Sequence, residues 1–127
     1  MNDDQYLQHC TELLGQFSHD MLKRTEALHE DDSLRELAVA FGNLSSGALE
    51  IYVDGQTLVS RLFTTYPDFS PTFPRELLWF LGGDCLHYMP DDEIDLYQQL
   101  EDERYALAAK GEVIDFVEAR AKLLKLQ

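Results

Sequence analysis

The residues best suited to chemistry are Cys85 and His87, which stand in "GGDCLH" at positions 82–87. A thiol beside an imidazole is the residue set of nucleophilic catalysis. The base takes the proton, the thiolate attacks, and nearby N–H donors hold the developing oxyanion. The spacing works against this use, because residues two apart on a continuous helix point about 200° away from each other. The pair meets only if Gly82 and Gly83 break the helix. Leu78, Leu81, Cys85 and Met89 keep a helical step across both glycines, so the expectation is an unbroken helix with Cys85 in the core. The glycines then mark a close approach of a neighbouring backbone.

The same two residues, taken with His9 and Cys10, supply two thiols and two imidazoles, the ligand set of tetrahedral zinc. Their spacing matches none of the familiar zinc patterns, and Cys10 falls on an apolar stripe, where a free cysteine acts as a small hydrophobe. His19 and His29 follow His9 at ten-residue steps, which fan around a helix rather than share a ligand face. The acids of "PDDEID", Asp91, Asp92 and Asp95, lack the alternating oxygens and turn glycine of a calcium loop. "EDER" at 101–104 reads as a solvated face. There is no GxGxxG run, phosphate loop, GxSxG elbow or HExxH pair. No cofactor or metal is expected, and a thiol- or metal-dependent enzyme centred on Cys85 and His87 is the alternative reading.

A different clue lies in the aromatic residues. Trp79, Phe80, Tyr88, Tyr97 and Tyr105 are many for one small core, and Tyr66, Phe69 and Phe73 fall in the proline-rich "YPDFSPTF" at 66–73. That segment is expected to be an irregular, exposed turn, which makes its three aromatics the candidate partner-binding residues.

These groups must be positioned by helices. Tyr6, Cys10, Leu13, Leu14, Phe17, Met21 and Leu28 step by three, four or seven, which predicts an amphipathic helix from Asp3 to about His29, capped by Asn2 or Asp3. "SLRE" at 33–36 reads as a capping box opening a second helix, with Leu34, Leu37, Ala38 and Phe41 inward. Residues 48–63 are ambiguous. Asp54-Gly55 between "EIYV" and "QTLV" is a hairpin signal, yet Ile51, Gly55, Leu58, Val59, Leu62 and Phe63 follow the helical step, and helix is favoured. Pro74 and Pro90 each open a further helix. A last one places Val113, Phe116, Val117, Ala121 and Leu124 on one side. The predicted architecture is all-α, a single-domain bundle of about six helices over 1–127, with an α+β fold carrying a short hairpin at 48–63 as the alternative.

Composition narrows the roles. The chain has 127 residues, 24 acids against 10 bases, and a net charge of −14. Such a surface repels phosphate backbones and anionic headgroups, which argues against nucleic-acid or membrane binding; mimicry of nucleic acid by the acidic face needs a carboxylate spacing that sequence does not display. No stretch approaches the length of a membrane helix, the acidic N-terminus lacks a secretory pattern, and two cysteines do not make a disulfide framework. The expectation is a cytoplasmic, acidic helical interaction protein, such as an adaptor, a regulator or a secretion-chaperone-like partner, acting as a homodimer through an aromatic patch.

Overall fold

A computed structural model describes residues 1–126, with the side chains of Val117 and Leu126 outside that description. It contains six α-helices, α1 (Asp3–Arg24), α2 (Ser33–Ser45), α3 (Ile51–Thr65), α4 (Arg75–Leu81), α5 (Asp91–Ala109) and α6 (Phe116–Leu126). Two short 3₁₀ segments, Pro67–Phe69 and Gly83–Tyr88, precede and follow α4, and there is no strand among the described residues.

The first helix begins as its residue types require. Asn2 Oδ1 accepts from Gln5 N–H at 2.8 Å while Gln5 Oε1 accepts from Asn2 N–H at 2.9 Å, a reciprocal cap. Its buried stripe is Tyr6, Cys10, Leu14, Ser18 and Met21. It stops at Arg24, short of His29, because Arg35 of α2 donates to the Leu22 carbonyl at 2.7 Å and satisfies the helix end there. Leu28, beyond that end, is exposed. α1 and α2 pack antiparallel through small residues. Gly42 faces Ser18 and Gly15 faces Ser45, so closely that a Cβ on either glycine would sit 2.9 Å from the serine oxygen opposite. The Ser18 hydroxyl donates to the Ala38 carbonyl at 2.8 Å, and the Ser45 hydroxyl to that of Thr11 at 3.1 Å.

The expected capping box at Ser33 does not form. Asp32 is the cap, accepting from Leu34 N–H at 2.9 Å, and the Ser33 hydroxyl pairs instead with the Tyr66 hydroxyl.

Residues 51–65 are helical, and the hairpin alternative falls with them. The Asp54-Gly55 pair that signalled a turn serves the helix twice. Asp54 Oδ2 accepts from Glu50 N–H at 2.7 Å, closing the first turn, and Gly55 lets α3 touch Leu81 and Leu44.

The helix expected to run from Pro74 through Met89 is broken. Pro74 is its cap, and Gly82 (φ 64°, ψ −154°) and Gly83 (φ 52°) turn the chain out of α4 into the second 3₁₀ segment. Only glycine takes the Gly82 geometry without strain. Gln56 of α3 holds the turn, donating to the Leu81 carbonyl at 3.0 Å. Arg75 then ties three segments together. It pairs with Glu93 at 2.8 Å and donates to the carbonyls of Ser70 at 2.7 Å and Tyr88 at 2.8 Å.

The last helix starts three residues later than the Val113 stripe implies. Asp115 Oδ1 accepts from Glu118 N–H at 3.1 Å and caps it. The chain before the cap has no regular structure, and there Ile114 is buried while Val113 is 62 % exposed. Ile114, Phe116 and Ala119 join the core, while Ala121 and Leu124 are exposed. Val117, placed on the same stripe by its spacing, lies outside the described side chains. One contiguous hydrophobic cluster draws on all six helices.

Candidate functional site

The break at Gly82-Gly83 does not bring Cys85 and His87 together. Cys85 is buried in the core, whereas the His87 ring is 82 % exposed and lies 4.0 Å from Asp84. Burial, with Asp84 adding to it, pushes the Cys85 thiol up to about 11. Burial and then Glu76 push Cys10 up further in the same direction. Both thiols are free and buried, and burial favours their protonated form. Among the described residues no group of three or more His, Cys, Asp or Glu side chains is gathered as a metal would need.

The proline-rich turn is less exposed than expected. Phe73 is 1 % exposed, packed edge-on against Phe17 at 4.8 Å and Phe63 at 5.4 Å. Tyr66 and Phe69 are half-buried and pack against the core, with Arg24 over the Phe69 ring at 5.8 Å. The turn is a lid on the core that places one aromatic inside it.

The exposed aromatics gather elsewhere, in a cleft of about 330 Å³ where α1, α3, α4 and α5 meet. Tyr52 of α3 (45 % exposed) packs on Phe80 of α4 at 5.3 Å, and Tyr105 of α5 (52 % exposed) flanks the other side. Trp79 and Leu7 complete the wall. The floor is Arg104, only 2 % exposed, with its guanidinium between the rings of Tyr6 at 4.6 Å and Tyr105 at 4.4 Å. Its Nη2 donates to Glu101 Oε1 at 2.6 Å and Asp3 Oδ1 at 3.2 Å, and its Nη1 to the Met1 carbonyl at 3.0 Å. The other oxygen of Glu101 accepts from the Trp79 indole at 2.7 Å. Two carboxylates thus face one guanidinium in a cleft that also holds exposed rings.

"EDER" is therefore only in part a solvated face, with Asp102 and Glu103 exposed. Glu101 and Arg104 carry the cleft floor. The signal was available in the spacing, since Arg104 continues the buried positions Leu96, Tyr97 and Leu100 at helical steps. Its charge concealed its position.

A second cavity, about 430 Å³, lies under α6 between α1, the start of α4, and α5. His9 Nε2 and Glu76 Oε1 sit 3.0 Å apart on its wall, and the His9 ring lies parallel to Phe116 at 5.6 Å. Leu13, Leu100, Phe116 and Leu124 make most of the rest apolar, and Arg120 lies over the Tyr97 ring at 5.8 Å. Nothing in the periodicity distinguishes His9 or Glu76, because their pairing joins residues 67 apart.

Taken together, these features define a small acidic all-α protein with two side-chain-lined clefts, one aromatic and charged, the other largely apolar. The chain matches the model of the PA2817-like family over residues 2–127, and it belongs to that family. No curated protein and no solved structure matches it. No helix among the described residues is long and apolar enough to cross a membrane.

Proposed function

We propose that this protein is a non-enzymatic interaction module that takes a basic segment of a protein partner on the cleft between α1, α3, α4 and α5. The observation that carries the reading is the juxtaposition of Tyr52 and Tyr105, both half-exposed rings, above the carboxylates of Asp3 and Glu101. Ring faces and carboxylates both attract cations, and Arg104 already occupies one such place between Tyr6 and Tyr105. A net charge of −14 steers a basic partner toward the molecule from a distance. Two buried free thiols suit a reducing, cytoplasmic setting.

The test is a titration with short arginine- and lysine-rich peptides, followed by NMR and by the fluorescence of Trp79, the single tryptophan. Saturable binding is expected, weakening with salt and lost in Tyr52→Ala/Tyr105→Ala, while Phe69→Ala binds as before. Shifts spread evenly over the acidic surface, or undiminished binding by the double variant, would sink the proposal. Sedimentation of the free protein addresses the homodimer: self-association abolished by the same double variant would give this face to a second copy instead.

A further inference from the structure

We infer that the cavity under α6 is a binding site for a small amphipathic monocarboxylate, an apolar chain or ring bearing one acid group. Its volume of about 430 Å³ lies in the range of small-ligand pockets, and its walls are mostly aliphatic and aromatic side chains from four helices. Such walls favour an apolar body.

The polar groups choose the head. Tyr97 is 1 % exposed, and among the described residues its hydroxyl has no hydrogen-bond partner. A buried hydroxyl left unpaired is costly, but this one is shut off from the cavity by its own burial and does not choose the head. Arg120 lies over the same ring and forms no ion pair among the described residues, which leaves its guanidinium free to meet a carboxylate. The other charges are already committed. Glu76, the one acid among the lining residues, faces His9 at 3.0 Å. Arg75 is held by Glu93 and the carbonyls of Ser70 and Tyr88. The site is independent of the aromatic cleft, from which Tyr6 separates it by stacking on His9.

Octanoate, held below its micelle concentration, is the probe for calorimetry and for Trp79 fluorescence, since the indole stacks on Tyr97 at 6.3 Å. One-to-one saturable binding with an emission change is expected, with octylamine and octanol at least tenfold weaker. Arg120→Gln should weaken octanoate about tenfold. Ala121→Trp, which fills the cavity from an exposed helix position, should abolish binding while leaving the thermal transition in place. Equal binding of octylamine, absence of saturable octanoate binding, or an unaffected Ala121→Trp variant would each overturn the assignment. An acetylated leucine tripeptide acid presents the same head on a peptide, and preference for it over octanoate would overturn the assignment to a free acid.

Discussion

Arg104 shows how a charged residue becomes part of a core. Its methylenes and guanidinium pack between two tyrosine rings, and its charge is met by Glu101, Asp3 and a backbone carbonyl. Removing a partner from such a site leaves a buried charge exposed to nothing, which is worse than removing the pair. Glu101→Ala should therefore cost about 3 kcal/mol in urea unfolding, and Glu101→Leu/Arg104→Met should cost less than the single change. Equal or additive losses would mean that Arg104 keeps its hydration. The thiols give a second expectation at this scale. Folding raises Cys85 from 9.0 to about 11, so the unfolded chain releases its proton first. The resulting stability is complete below pH 9 and is lost as pH climbs toward 11. Unfolding midpoints measured from pH 8 to 11 should fall, and Cys85→Ala should fall less steeply over that interval. Parallel slopes would contradict the burial of the thiol.

Helices were readable wherever a stripe ran uninterrupted, as in the Tyr6–Met21 stripe of α1 and the Ile51–Phe63 stripe of α3. Their ends were less so, because an end is decided by whichever partner reaches the free backbone groups first. Arg35 closes α1 from another helix, and Asp32 outcompetes Ser33 for the first turn of α2. Glycine was the hardest residue to read. Gly55 and Gly82 look alike in sequence, yet one lies inside a helix because a neighbour presses on it and the other ends a helix through its dihedral angles. The difference is measurable. Gly55→Ala should gain helix propensity but drive a Cβ to 2.7 Å from Leu81 Cδ2, with Leu44 at 3.3 Å behind. Overpacking wins, and the expected net loss is about 1 kcal/mol by thermal denaturation. A stabilised variant would show that Leu81 yields freely.

Across the whole molecule, −14 charges on 127 residues repel one another. The internal pairs, such as Arg75–Glu93, are only partly exposed and poorly screened. Added salt should thus act mainly on the repulsion, raising the melting temperature by about 3 °C between low and near-physiological sodium chloride. A flat or falling curve would mean that the paired charges outweigh the unpaired ones. The all-α class and the helix order could be read at this scale from periodicity and proline placement. Neither cleft could be, since each joins residues far apart in the chain: His9 with Glu76, and Asp3 with Arg104.

The position of α6 bears on how the chain is made. Phe116 covers Tyr6 and His9 and forms a wall over α1, yet it is synthesised after every helix it covers. Until that segment leaves the ribosome, the apolar side chains of Leu13, Tyr97 and Leu100 have no roof. The α1–α2 hairpin, built from near neighbours, closes early. The nascent protein therefore passes through a stage with a finished hairpin and an open apolar trough, the period in which association with other chains is most favoured.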